Sequence, residues 1–357
     1  MASGNLNETQ RQLLSDFRAG KRLALSRVVS IVEDERTGFQ EILDELHASL
    51  GKAHRIGLTG PPGAGKSTLT AALARAFSAR GETVAIVAVD PSSPFTGGAL
   101  LGDRIRMNDI ALDKGIFIRS MASRGSLGGL ATTTKEVADV FDAFGFDRIL
   151  IETVGVGQSE LDIAATADTT VVVLVPESGD SIQAMKAGLM EISDLFVVNK
   201  ADRPGAEKLA REVEMALHLR TGQIRQKVTA HHGVDLERVR KRAAERLGIT
   251  REEQESDGTA WDIPVLRTIA EQGQGVEELI DAIDQHRAWL TESGELTRRR
   301  DARLAERVRE VVDRRLRQIV WIENDGRKLL DEAMPALEQG TESPYQVAAR
   351  IVRAVSG

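Results

Sequence analysis

Gly60-Pro61-Pro62-Gly63-Ala64-Gly65-Lys66-Ser67-Thr68 fits the pattern G-x-x-x-x-G-K-[ST], with an apolar run before it and a helix-forming stretch after it. A loop of this kind is built for phosphate. Gly63 and Gly65 let the backbone curl so that successive N–H groups point inward at phosphate oxygens, and the helix that follows presents its positive end to the same spot. Lys66 is then expected to reach the β- and γ-phosphates of a nucleoside triphosphate, and the Ser67 hydroxyl to bind Mg²⁺. Ile56 to Thr59 reads as a buried strand feeding the loop, while Leu69, Leu73, Ala76 and Phe77 recur at helical spacing behind it. Every residue from Gly60 to Thr68 is a phosphate-binding candidate.

Working outward, short runs rich in Val and Ile alternate with helical stretches: Thr83 to Val89, Ile116 to Arg119, Arg148 to Ile151, Thr170 to Val175, Leu195 to Val198 and, last, Pro264 to Thr268. Runs apolar on both faces and separated by helices are what a parallel sheet covered on both sides requires. The expected fold is a doubly wound, mostly parallel α/β domain of the phosphate-loop type, with ligands at the carboxyl ends of the strands. From Glu8 to Leu50, apolar residues such as Leu13, Leu14, Phe17, Leu25, Val28, Val29 and Val32 return every three or four positions. They predict an N-terminal helical extension over residues 1–50. Residues 51–292 are expected to carry the nucleotide-binding domain, and 293–357 a helical arm. Within that arm, Leu296 to Val320 holds nine Arg against four acidic residues, with Leu304, Val308, Val312, Leu316 and Ile319 on one stripe. Such a stripe packs on a partner helix, in a second copy of the chain or in the same one.

Composition narrows the function classes. Over 357 residues the formal net charge is −7, which argues against a general nucleic-acid binder, since neutralising a phosphate backbone takes an excess of Lys and Arg. Cysteine is absent, which removes disulfides, thiol catalysis and cysteine-ligated zinc. The stretch Met1-Ala2-Ser3-Gly4-Asn5 lacks an apolar signal core, and no segment offers about 18 consecutive apolar residues. The expectation is a cytoplasmic protein with neither a membrane nor a nucleic acid as partner.

Acidic residues at strand ends supply the metal-site candidates. Asp90 closes one strand and opens the rigid turn Asp90-Pro91-Ser92-Ser93-Pro94; Asp103 follows the glycine-rich Gly97-Gly98-Ala99-Leu100-Leu101-Gly102. An acid on a mobile segment suits a switch that orders around Mg²⁺ and the γ-phosphate. Glu152-Thr153-Val154-Gly155 ends another strand. Many triphosphatases place an aspartate here to approach Mg²⁺ and a glycine whose N–H contacts the γ-phosphate. Glu152 is the longer equivalent, so Ser67, Asp90, Asp103 and Glu152 are the metal candidates, and Lys66, Asp103, Glu152 and Gly155 the catalytic ones. Gln158 lies three residues beyond Gly155 rather than beside it and has no assigned role.

Asn199-Lys200-Ala201-Asp202 addresses the base. The Asp202 carboxylate accepts two hydrogen bonds from the N1–H and exocyclic amine of guanine, where adenine offers an acceptor and no amine. A site built for those donors rejects a base lacking them by roughly 10⁴-fold. Lys200 stacks its stem along the base, and Ile269-Ala270-Glu271 is expected beside it, with a backbone N–H for O6. GTP and GDP are therefore expected over ATP. The stretch Glu177 to Gly188, containing Asp180, Gln183 and Lys186, follows a strand on the nucleotide side, yet neither phosphate nor base readout needs it. It reads as a signalling loop or as an ordinary strand-to-helix connection.

Taken with Leu101-Gly102-Asp103-Arg104-Ile105-Arg106-Met107, Glu152 to Glu160 and Gly179-Asp180-x-Ile182-Gln183, these motifs resemble the methylmalonyl-CoA mutase-associated G proteins. Those are GTPase chaperones of adenosylcobalamin-dependent acyl-CoA mutases, in the nickel- and cobalamin-assisting branch of phosphate-loop GTPases. The resemblance covers nearly the whole chain. It implies that GTP hydrolysis gates cofactor loading and protects or rescues a B12-dependent mutase, and that Asp103 and Glu152 join Ser67 around Mg²⁺. It also implies that Asp180, Gln183 and Lys186 form a third switch facing the mutase. By the same resemblance the C-terminal arm builds a homodimer, and an adenosyltransferase is admitted as a further partner. Glu177, Ser178 and Ser181 depart from the small-residue version of that loop, which leaves an isobutyryl- or hydroxyacyl-CoA mutase open as the partner. No residue in the sequence is placed as a strong water-activating base, so slow intrinsic turnover stimulated by a partner is expected. Two rival readings use the same loop. A small-molecule kinase would need an acceptor site that the sequence does not display. A nickel-delivery GTPase would need clustered Cys or His, where His231-His232 is the one adjacent pair.

Overall fold

The computed structural model describes residues 6–91, 107, 109–123, 132–153, 163–176, 188–225 and 260–356. They form two compact units, residues 1–296 and 297–357. In the first, α1 (Glu8–Arg18), α2 (Arg22–Glu33) and α3 (Phe39–His47) precede β1 (His54–Thr59) and α4 (Lys66–Ala79). Then come β2 (Val84–Pro91), β3 (Ile116–Ser123), α5 (Thr132–Phe144), β4 (Arg148–Glu152), β5 (Thr169–Leu174), β6 (Leu195–Asn199), α6 (Ala206–Arg225), β7 (Val265–Thr268) and α7 (Val276–Glu292). Among the described residues seven strands join in one sheet, in the order β3-β2-β4-β1-β5-β6-β7, and every pairing is parallel.

Alternation along the strands divides the core. Ile56, Leu58, Ile86, Leu150, Val171 and Val173 point to one face, where Leu69, Leu73 and Phe77 of α4 and Leu279, Ile280 and Ile283 of α7 cover them. Ala85, Val87, Ile149 and Ile151 point to the other, under Leu25, Val28, Val29 and Val32 of α2 and Val137, Val140 and Phe141 of α5. That is why the inner strands are apolar throughout. The N-terminal extension is thus one cover of the sheet. It breaks into three helices because a reciprocal Asn7–Gln10 capping box starts α1 and a left-handed Gly38 starts α3.

The amino ends of the strands are closed by polar clamps. Asp142 of α5 accepts from the N–H groups of Gly51, Lys52 and Ala53, fixing the entry to β1. Burial works against the charge on Arg55, but Asp139 at 2.8 Å and Asp142 at 2.9 Å outweigh it and hold the guanidinium pKa above its ordinary value. Beside it, Arg148 Nη1 donates to His54 Nδ1 at 3.0 Å, so His54 carries its proton on Nε2 and donates to Thr169 Oγ1 at 2.8 Å. Thr169 donates in turn to His286 Nδ1 at 2.9 Å. The other ring nitrogen, Nε2, faces Asp194 Oδ1 at 3.3 Å, out of hydrogen-bond alignment. Burial pushes the His54 pKa down to about 3.

The second unit holds most of α8 (Glu295–Gln318), a π-type turn (Ile319–Glu323), α9 (Gly326–Glu338) and α10 (Pro344–Ser356). Ala333, Val347 and Ile351 form its small core, with Val320, Leu329, Leu330 and Leu337 packed around them. No residue of α8 is buried. Leu304, Val308, Val312 and Leu316 are 49%, 63%, 48% and 52% exposed, a continuous apolar stripe on an otherwise highly charged helix.

Candidate functional site

With all strands parallel, their carboxyl ends share one edge, and the loop from Gly60 to Gly65 rises from the centre of it, between β1 and α4. Gly63 and Gly65 take left-handed φ values of +75° and +85°, which is what turns the chain into the helix. At Gly65 a side chain is excluded twice, because a Cβ there would run into the Asn199 carboxamide. Lys66 opens α4 and is buried; its Nζ donates to the carbonyls of Gly60 at 2.8 Å and Pro61 at 3.0 Å. These bonds fold the ammonium back over its own loop. Pro62 and Gly63 form the exposed crest, Ala64 is buried beneath it, and Thr68 is half-buried on the first turn of α4.

Glu152, the last residue of β4, is buried, and its Oε1 accepts from Ser67 Oγ at 2.6 Å. A hydroxyl and a carboxylate side by side are hard oxygen donors, the set that suits Mg²⁺, which is held by a few protein oxygens together with substrate phosphates. The residues present fit that ion.

The base end of the site is wired to the phosphate end. Asn199 Nδ2 donates to the Ala64 carbonyl at 2.9 Å, and its Oδ1 accepts from Thr268 Oγ1 and the Ala270 N–H, both at 3.1 Å. Lys200 Nζ donates to the Gly63 carbonyl at 3.0 Å, and Lys200 sits at φ +56°, uncommon for a residue with a side chain. Asp202 follows in the exposed turn, available to a ligand. The Ile269 N–H bonds to Gln274 O and the Ala270 N–H to Asn199, so two of the three backbone groups expected to meet guanine O6 are engaged within the protein; Glu271 stands next to them on an exposed turn.

The loop, Ser67 with Glu152, and Asn199 with Lys200 are therefore brought together. Asp90, next to last in β2, pairs with Ala122 of β3, two residues beyond the Ala88–Glu152 pair that ends the β2–β4 ladder, and its backbone alone is described. Asp103, Gly155, Gln158, Asp180, Gln183, Lys186 and His231-His232 lie outside the described residues, as does the polar run Thr250 to Gly258. Reading the sequence missed Thr268, whose hydroxyl holds Asn199, and the contact of Thr153 Oγ1 with Thr59 Oγ1 at 3.1 Å. A polar residue at the end of an apolar strand was the one local signal for each.

The family model for the methylmalonyl Co-A mutase-associated GTPase MeaB matches residues 25–325. The chain belongs to this family. GTPase ArgK of Escherichia coli strain K12 is 32% identical over 347 residues, 95% of either chain. The Mus musculus protein named methylmalonic aciduria type A homolog, mitochondrial, is 33% identical over 298 residues, 79% of this chain and 64% of that one. Among solved structures, one titled LAO/AO transport system kinase aligns over 99% of this chain and 100% of its own, at 25% identity and a TM-score of 0.64. Family membership makes GTP hydrolysis the activity of this fold, consistent with a phosphate loop joined through Asn199 to a guanine-type motif. Among the described residues no helix is long and apolar enough to cross a membrane.

Proposed function

We propose that this GTPase is a switch that gates adenosylcobalamin loading onto a B12-dependent acyl-CoA mutase and protects or reactivates that enzyme. The observation that carries the reading is the joining of phosphate and base elements through Asn199, in a chain whose family is named for association with methylmalonyl-CoA mutase. Ser67 and Glu152 would hold Mg²⁺, with Asp90 and Asp103 as further candidate ligands. The ion would supply charge neutralisation on the β- and γ-phosphates. Lys66, already aimed over the loop, would stabilise the charge that develops on the γ-phosphoryl as water attacks in line, and the loop N–H groups from Gly60 to Thr68 would hold the oxygens in place. Lys200 and Asp202 would read guanine.

Of the described residues near Lys66 and Ser67, Glu152 is bonded to Ser67 rather than poised as a free base for water, which supports slow turnover that a partner accelerates. The Gly155 N–H would contact the γ-phosphate, and Asp180, Gln183 and Lys186 would relay the nucleotide state to that partner. The exposed stripe Leu304, Val308, Val312 and Leu316 supports a homodimer formed through α8. Co-purification of the full chain with candidate acyl-CoA mutases in GTP and in GDP tests the reading. A mutase is expected to bind with an affinity that depends on the nucleotide and to raise the hydrolysis rate; fast hydrolysis that no mutase alters would defeat it.

A further inference from the structure

β1 and β4 run side by side with Leu58 opposite Glu152, and the next residues along are Thr59 and Thr153. Beyond Thr59 the chain enters the phosphate loop at Gly60, and Thr153 is the last described residue of its segment. Two bonds join the pair of segments here. The Thr153 N–H donates to the Leu58 carbonyl at 3.2 Å, and the Thr153 hydroxyl donates to the Thr59 hydroxyl at 3.1 Å. Both threonines are shut away from solvent, 0% and 1% exposed. Because side chains alternate along a strand, the pair lies on the sheet face opposite Glu152. Valine at both positions would fill the same volume with no buried hydroxyl to satisfy, so packing alone does not call for this pair.

We propose that Thr153 is a positioning residue for the magnesium seat. Its bond to Thr59 fixes the end of β4 against the start of the phosphate loop, and so holds the Glu152 carboxylate at the separation from Ser67 where both can face one cation. Glu152 is the residue immediately before the clasp, and a strand end that drifts there carries its carboxylate with it; sites of this kind depend on geometry held to a fraction of an ångström. The proposal rests on reading Ser67 and Glu152 as the metal pair.

The test is the affinity of the full chain for N-methylanthraniloyl-GDP, measured by fluorescence with Mg²⁺ and again in EDTA. Wild type is expected to bind more tightly with Mg²⁺. In Thr153→Val that magnesium advantage falls by about fivefold, the worth of one hydrogen bond, while affinity in EDTA stays within about twofold. Thr153→Ser, which keeps the hydroxyl, restores it. Thr59→Val shows the same loss, and the double variant loses no more than either single one. An unchanged magnesium advantage in Thr153→Val, or an equal loss in Thr153→Ser, overturns the proposal. Where Thr153→Val folds poorly, Thr59→Val removes the same bond from the other side and decides alone. A wild-type chain with no magnesium advantage overturns the metal assignment and the clasp with it. An advantage that Glu152→Gln loses and Thr153→Val keeps leaves the metal assignment standing and sinks the clasp alone.

Discussion

Asn199 Nδ2 and the Ala64 carbonyl lie 2.9 Å apart, so the strand end that would read the base is tied to the loop that would hold the phosphates. With Thr268 Oγ1 and the Ala270 N–H bonded to its Oδ1, one buried carboxamide joins three separate segments. Truncation strands three polar groups, each at a cost of about 1–3 kcal/mol where water cannot replace the partner. Asn199→Ala is therefore expected to weaken GDP binding by at least about 100-fold in calorimetric titration. A loss below threefold would mean that the segments hold their places without it.

The two left-handed glycines of the loop make a paired comparison. Gly63, at φ +75°, has open space where a Cβ would go, so Gly63→Ala bears only the backbone penalty of about 1 kcal/mol. Gly65→Ala bears that penalty and also drives a methyl into the Asn199 carboxamide. Urea denaturation without nucleotide should show Gly65→Ala the less stable by at least about 1 kcal/mol, the worth of a disturbed buried hydrogen bond. Equal losses would place the constraint in the backbone alone.

Local patterns were enough to read the loop and the sheet. Glycine spacing sets the loop's conformation, and a strand covered on both faces must be apolar at every position, as Val171 to Leu174 are. Strand ends were less legible. β2 and β3 run on together to Pro91 and Ser123, past the end of their apolar runs, because ladder bonds between neighbours rather than side-chain character set where pairing stops. The Thr59–Thr153 and Asn199–Thr268 contacts join residues 94 and 69 positions apart, and no periodicity reports such a meeting. Glu152 was legible because its neighbours in sequence carry the motif, whereas Thr153 one position later acts through a residue on another strand.

His54 gives the fold a pH dependence of known sign. Burial holds its pKa near 3, against Asp168, which favours the charged form, while an unfolded chain returns it to its ordinary 6.5. Between those values the unfolded state binds the extra proton, so stability is full above pH 6.5 and falls as pH drops toward 3. The slope from this residue approaches about 1.4 kcal/mol per pH unit. Since Arg148 donates to Nδ1, protonation there would also set a cation against a cation. Urea midpoints taken from pH 7 to 5 should fall more steeply in wild type than in His54→Gln, which keeps a donor toward Thr169 but cannot titrate. Parallel curves would show that His54 carries the same charge in the folded and the unfolded state.

Asp202 can be tested by changing what it is asked to recognise. It stands exposed in the turn after β6, and Lys200, strained at φ +56° and bonded to Gly63, sets where that turn begins. If the carboxylate accepts from guanine N1–H and the exocyclic amine, an asparagine in its place presents one N–H toward a position where guanine also presents N–H. Xanthine carries a carbonyl where guanine has its amine and so accepts from that asparagine. Asp202→Asn is expected to bind xanthosine diphosphate more tightly than GDP, a reversal of preference of at least about 100-fold, because a polar site rejects a ligand that leaves its groups unpaired. Asp202→Ala separates this from simple loss: it should weaken both nucleotides and gain neither. Competition between the two diphosphates for the fluorescent analogue measures the ratio directly, and an unchanged preference in Asp202→Asn would remove Asp202 from the base site.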